Sequence, residues 1–330
     1  MQDNIVLDVN EDDINLLNQD LLAILLFDRT TKKNILWGTD DYKELGEAYA
    51  AGNPITENLI TGNNGKVIQP RVLKAQEQKK DRTRARAEVF TPSWVCNAQN
   101  NLVDAEWFGG ESPFNEMSGT DWNASVGPIC FADKGSRTWK KYVDCKRLEI
   151  TCGEAPYLVS RYDTVTGQTI PVSERIGLLD RKLRVVCENT GSKEDWKIWA
   201  RRAVESVYGY EFQGDNLLLA RENVLYSYIE YYRFKFSEEP ELKELLQIAL
   251  VISWNLWQMD GFNCAIPYCE KPDEPWQLSI FDYLADIGVE SDFDYSRLRD
   301  TKGQKLCKIR DWRSKETILY KKLVGGSQNE

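Results

Sequence analysis

Three times between Arg147 and Gly261 a short apolar run closes on a carboxylate: Glu149 after Leu148, Glu211 after Tyr208-Gly209-Tyr210, and Asp260 after Leu256-Trp257-Gln258-Met259. The runs Lys146–Thr151 (KRLEIT), Ser206–Phe212 (SVYGYEF) and Val251–Gly261 (VISWNLWQMDG) read as strands. Between them lie segments with helical spacing, Ser192–Ser206 (SKEDWKIWARRAVES), Asp215–Phe236 (DNLLLARENVLYSYIEYYRFKF) and Pro240–Leu250 (PELKELLQIAL). Asn216, Ala220 and Asn223 fall along one side of the long helix. Short strands alternating with amphipathic helices argue for a mostly parallel sheet covered on both faces. The expected fold is therefore α/β and doubly wound. In such a sheet ligands bind at the carboxyl edge, and Thr151–Leu158 (TCGEAPYL) is expected there as the turn from the first strand into a helix.

Upstream of this pattern, Asn15–Asp28 (NLLNQDLLAILLFD) has the spacing of a buried helix. A polar break, TTKKN, separates it from a short strand at Ile35–Gly38, which together make a small α+β lead-in. Turn formers fill Gly52–Lys66 before a basic run. The expected organisation is a lead-in subdomain with basic linker over 1–86, a main domain over 87–324, and a frayed tail over 325–330. The 330 residues, 42% of them hydrophobic, suffice for a full core. No apolar run approaches the roughly 20 residues that cross a bilayer, and the N-terminus is acidic, so no membrane partner is expected. The eight cysteines are scattered, which fits a reducing, cytoplasmic setting. No metal site is expected.

The chain has no histidine. That removes Ser-His-Asp and Cys-His nucleophile systems and every imidazole metal ligand. Carboxylates, lysines, tyrosines, backbone amides and a bound cofactor remain. The net charge of −10 repels phosphate on average, so a nucleic-acid partner requires a local basic surface or a second subunit. Lys66–Arg86 offers such a surface, with eight basic residues against two acidic ones. A solvated linker is the competing reading of that run.

A carboxylate at the tip of a second parallel strand is well placed to accept hydrogen bonds from both hydroxyls of a ribose, and it repels a phosphate. Gly153 lets a backbone approach a ligand closely, while Glu149 and Glu154 can each accept from a cation or a hydroxyl. S-adenosylmethionine, with a sulfonium, an ammonium, a ribose and an adenine but no phosphate, fits this set.

Further segments carry a resemblance. Ala87–Asp104 (AEVFTPSWVCNAQNNLVD) resembles the segment of adenine-N6 DNA methyltransferases that precedes their first strand and closes over the methionine part of the cofactor. Leu148–Leu158 is similar to that family's first loop, Tyr208–Asn223 to its second strand and helix, and Ile252–Gly261 to its third strand, all in order. The likeness is closest to methylase subunits of restriction-modification systems, and it covers most of the chain from Ile35 onward. It implies a methyltransferase-type sheet and cofactor contacts at Glu88, Phe90, Thr91, Pro92, Glu149, Cys152, Gly153, Glu154, Glu211 and Asp260. It also implies DNA as substrate and a second protein subunit that supplies target recognition or nuclease activity. Two positions depart: Ile150 stands where the loop has proline, and Ala155 where it has a second glycine.

The catalytic turn departs further. Adenine-N6 transfer uses Asn or Asp, Pro, Pro and an aromatic residue, so that an amide and a carbonyl accept the hydrogens of an extruded amino group while a ring stacks on the base. The corresponding stretch here is Ala265-Ile266-Pro267-Tyr268. Pro267 and Tyr268 survive as catalytic candidates and the amide is gone. Two functions therefore stand side by side: a DNA adenine-N6 methyltransferase-like subunit, and a methyltransferase fold kept as a binding module.

Overall fold

The computed structural model describes residues 9–74, 91–270 and 304–325. The basic run beyond Lys74, the expected boundary near Ala87 and the candidates Glu88 and Phe90 lie outside the described residues.

The chain opens with α1 (Glu11–Leu17) and α2 (Gln19–Leu26), followed by β1 (Phe27–Asp28), β2 (Lys33–Asn34) and a short α3 (Glu57–Ile60). The single helix expected from Asn15 to Asp28 is thus two helices. Asn18 takes an extended backbone, accepts the Asp20 N–H with its side chain and starts a new helix, which is the capping role that asparagine fills well. Leu21, Leu22, Leu25 and Leu26 are fully buried, and they share one core with residues from the body of the molecule.

The body follows as α4 (Ser93–Phe108), β3 (Asn115–Ser118), β4 (Asp121–Ala124), α5 (Trp139–Asp144), β5 (Arg147–Glu149), α6 (Leu178–Asn189), α7 (Lys193–Glu205), β6 (Val207–Glu211), α8 (Gly214–Phe236), α9 (Leu242–Asn255) and β7 (Leu256–Gln258). Beyond it come β8 (Ala265–Glu270), β9 (Gln304–Leu306), β10 (Lys308–Asp311), β11 (Glu316–Leu319) and α10 (Tyr320–Gly325). The fold is mixed α/β. Strands β5, β6 and β7 form one parallel sheet in that order, with Glu149 opposite Gly209 and Glu211 opposite Gln258. The other described strands make two-stranded antiparallel pairs.

Two elements differ from their sequence reading. No helix follows TCGEAPYL: Ala155 sits at φ +63° and Pro156 follows it, so the chain runs on through turns until α6. The third strand is also shorter than expected, because α9 continues through Val251-Ile252-Ser253-Trp254-Asn255. The buried set Leu245, Ile248, Ala249, Val251 and Ile252 keeps helical spacing to that point, and α9 packs against α2, α7 and α8.

Gly214, where α8 begins, shows why the lead-in lies where it does. A Cβ there would stand 1.9 Å from the Leu36 carbonyl oxygen, so only glycine lets the chain at Leu36 cross the start of the helix. The Gln258 side chain completes the join: its Oε1 accepts from Leu36 N at 2.8 Å, and its Nε2 donates to the carbonyls of Leu36 and Phe212, each at 2.8 Å. The lead-in is hydrogen-bonded to the carboxyl edge of the parallel sheet.

Candidate functional site

The carboxyl edge of β5 and β6 is built around one loop. Between Thr151 and Ala155 the backbone enters the left-handed region three times, at Thr151 (φ +45°), Gly153 (φ +54°) and Ala155 (φ +63°). For residues with a Cβ such a conformation is unfavourable by about 1 kcal/mol or more each and persists only where the surroundings over-determine it. Here they do. Cys152 N donates to Tyr210 O at 2.9 Å, Ala155 N to Cys152 O at 2.7 Å, and Gly153 N to Glu211 Oε2 at 2.9 Å.

Both strand-end acids are engaged with backbone. Glu211 accepts from Phe212 N and Gln213 N through Oε1, at 2.8 and 3.1 Å, besides its bond from Gly153. It therefore caps the turn into α8 with one oxygen and tethers the β5 loop with the other. Burial raises its pKa, and those three amides pull it back down. Glu149 accepts from Tyr157 N at 3.3 Å and Leu158 N at 3.2 Å. Burial pushes its carboxyl up to about 8, against the pull of those amides, and the nearby Glu211 charge adds to the rise.

Thr91 and Pro92 precede the first residue of α4, Ser93. Thr164 Oγ1 donates to the Thr91 carbonyl at 3.2 Å, and Ser93 N donates to Asp163 Oδ2 at 2.7 Å. The Tyr157 hydroxyl interacts with Thr91 and with Cys96, and Glu149 in turn raises the Cys96 thiol, after burial. The N-terminus of α4, the turn at Tyr157 and the end of β5 are thereby brought together.

Glu154 and Cys152 face inward. Glu154 is about 1% exposed, accepting from Arg71 N at 2.7 Å and from the Tyr162 hydroxyl at 2.7 Å. It binds the β5 loop to the last turn of the lead-in. Cys152 is buried under Gly209 of the central strand, where a Cβ would come 3.2 Å from its Sγ. Asp260 lies beyond β7, accepting from Phe262 N and Asn263 Nδ2 at 2.9 and 2.6 Å, so its carboxylate closes the turn into β8.

Ala265-Ile266-Pro267-Tyr268 is part of a strand. Ala265 pairs with Leu306, and Ala265, Ile266 and Pro267 are buried. Tyr268, at φ +55°, is exposed by 60% and donates its hydroxyl to Gly38 O at 3.1 Å. Its ring centroid lies 6.2 Å from that of Phe212, the residue after Glu211, so the aromatic side chain reaches the sheet edge that carries the acids.

Several residues that shape this edge carry no motif in the sequence. Asp163 anchors α4, and Lys74 makes a buried ion pair at 3.0 Å with Asp215, which also accepts from the Tyr42 hydroxyl at 2.8 Å. The hint was there in composition only: Asp215 and Asn216 are polar residues just ahead of the apolar run Leu217-Leu218-Leu219-Ala220. No protein-family model, no curated protein and no solved structure matches the chain.

Proposed function

We propose that the carboxyl edge of the parallel sheet binds S-adenosylmethionine, in a doubly wound domain of the methyltransferase type that serves as a DNA adenine-N6 methyltransferase-like subunit. The observation that carries this reading is the loop Thr151–Ala155. Its left-handed Gly153 is held by the Glu211 carboxylate, and the turn that follows Ala155 is held at Tyr157 and Leu158 by the Glu149 carboxylate of the adjacent strand; left-handed residues with a Cβ, such as Thr151 and Ala155, gather at ligand sites. The residues present are chemically suited to the group. Glu211 uses three of the roughly four acceptor positions of a carboxylate on backbone amides, which leaves capacity for a ribose hydroxyl. Glu149 supplies negative charge near a sulfonium or ammonium once it ionises. When bound, the cofactor would supply an activated methyl group.

The same geometry favours slow chemistry. Ala265 and Ile266 are buried in β8 and offer no side-chain acceptor to an amino group, while Tyr268 keeps an exposed ring. A binding role, with a second subunit completing catalysis or target recognition, follows from that loss. Calorimetric titration with S-adenosylmethionine tests the reading. Micromolar binding by the wild type, weakened in Glu211→Ala, is the expected result, and no heat of binding at any accessible concentration overturns it. Radiolabelled methyl transfer to mixed-sequence DNA by the chain alone should be slow or absent, since losing one preorganised hydrogen-bonding group in a transition state costs on the order of a hundred- to a thousand-fold in rate.

A further inference from the structure

A groove between α2 and α9 carries a guanidinium with unused donors. Asp20, Ala23, Ile24 and Phe27 line it from one side and Leu246 from the other, and Arg29, just past β1, completes the lining around a volume of about 430 Å³. That volume lies within the roughly 300 to 1,000 Å³ of small-molecule sites. Ile24, Phe27 and Leu246 are half-buried where the two helices meet, and the small, exposed side chain of Ala23 leaves the space between them open. The walls are therefore hydrocarbon, with one cation among them.

Arg29 is fixed in place but not paired. Its Nε donates to Ser253 Oγ at 2.8 Å, and its guanidinium carbon lies 4.8 Å from the centre of the Phe27 ring. Ser253 is held in turn, donating to Leu250 O at 2.8 Å. The two terminal nitrogens of Arg29 have no hydrogen bond or ion pair among the described residues, and both stay open to solvent. Neighbouring charges leave it unneutralised. Asp28 favours the charge on Arg29 without pairing to it; its Oδ2 accepts from the Thr31 N–H and hydroxyl, both at 2.6 Å, and burial raises its pKa. Arg221, fully buried on α8, acts on Arg29 as a second positive charge. Asp20 is exposed and stands seven residues before Phe27, about 10 Å along the helix at 1.5 Å per residue.

These charges select the ligand. A planar fork with two free nitrogens matches a carboxylate, which it can bind through parallel hydrogen bonds. A phosphate dianion would bring two charges to one free cation, and a second carboxylate at the far end of the groove would face Asp20. We propose that the α2–α9 groove binds a small monocarboxylate with an apolar body, of the medium-chain fatty acid class, with its carboxylate on Arg29 and its chain between Ile24 and Leu246. The site goes beyond the proposed function, since none of its lining residues takes part in the carboxyl edge of the parallel sheet, and it requires neither S-adenosylmethionine nor nucleic acid.

The test is calorimetric titration of the full chain with sodium octanoate, octanol, octanedioate and acetate, repeated on Arg29→Gln and Ala23→Trp. The wild type should bind octanoate, and bind the neutral, doubly charged and chainless probes about tenfold or more weakly. Arg29→Gln should weaken octanoate by about 10- to 100-fold, the loss expected for charge-assisted hydrogen bonds, and leave octanol unchanged. Ala23→Trp, at an exposed position on the rim, should weaken octanoate and octanol alike. Octanoate affinity within about twofold of the wild type in Arg29→Gln overturns the proposal, as does octanol binding as tightly as octanoate, or no heat from octanoate at any accessible concentration. Should Arg29→Gln fail to fold, the octanoate–octanol comparison on the wild type and the block by Ala23→Trp still decide it: equal affinities, or no effect of the tryptophan, sink the site.

Discussion

Glu211 makes the most informative single perturbation, because its two oxygens do different work. Oε1 accepts from Phe212 and Gln213, within its own turn, and Oε2 accepts from Gly153, 58 residues away in sequence. A hydrogen bond to a charged acceptor is worth about 1.5 to 3 kcal/mol, so three amount to roughly 5 to 9 kcal/mol gross. Against this stands the burial of the carboxylate, which raises its pKa and so opposes ionisation; removing the group relieves that penalty. The net destabilisation expected for Glu211→Ala is about 2 to 4 kcal/mol. Glu211→Gln separates the two functions. It keeps an acceptor for Phe212 and Gln213 and sets an NH2 against the Gly153 N–H, which should cost about 1 to 2 kcal/mol. Urea unfolding at pH 7, read from the midpoint and slope, measures both. Loss of less than 1 kcal/mol in Glu211→Ala, or equal losses in the two variants, would refute the view that this carboxylate holds the Thr151–Ala155 loop in its strained form.

Three other outcomes follow from the packing and the charges. Gly214→Ala should destabilise by about 3 kcal/mol or more, because its Cβ would meet the Leu36 carbonyl, and amide exchange should rise first in the lead-in. Arg221→Leu should cost about 3 to 5 kcal/mol, since the buried guanidinium donates to the carbonyls of Leu25, Phe27 and Leu256 and fastens α2 and β1 to the third strand; urea midpoints check it. Glu149 has a folded-state pKa raised from 4.5 to about 8, so the folded protein holds an extra proton between those values and its stability contribution falls as pH rises through that window. Glu149→Gln should flatten the decline in unfolding free energy measured from pH 5 to pH 8, and an unchanged slope would show that the carboxyl ionises freely.

The first two strands of the parallel sheet were legible because each ended on the acid that marked it, Glu149 and Glu211. Val207–Glu211 and α8 fall where the alternation placed them. The limits of β7 were not legible, since Val251 and Ile252 suit a buried helix and a buried strand equally, and only the neighbours α2, α7 and α8 decide between them. The turn at TCGEAPYL misled for a different reason. Its end looks like a helix start, but Ala155 at φ +63° and Pro156 steer the chain away from one, and no local pattern marks an alanine for the left-handed region. Within the candidate site, the positions of Glu149, Gly153, Glu211 and Tyr268 could be read as neighbours of one edge. What each carboxylate touches could not, because the donors Tyr157, Leu158 and Arg71 are backbone amides, to which the sequence gives no address.

That distinction bears on what the acids are for. In the sequence Glu149 and Glu154 look equivalent, two carboxylates flanking one glycine, and Glu211 stands apart only as the acid at the tip of the second strand. In the fold they divide. Glu154 is spent on Arg71 and Tyr162 and buried at about 1% exposure, so its task is to bind the loop to the lead-in. Glu211 shapes the loop and the turn into α8 at once, and any ligand it holds would be sensed by both elements. Glu149, with a carboxyl that is largely protonated near neutrality, has charge in reserve. A cation arriving beside it would favour the ionised form and release a proton, so binding of a sulfonium or ammonium ligand should tighten as pH rises toward 8 and level off above it. A neutral ligand at the same edge would show no such dependence. The pH profile of affinity thus reports the charge of whatever the site takes, independently of whether any methyl group is transferred.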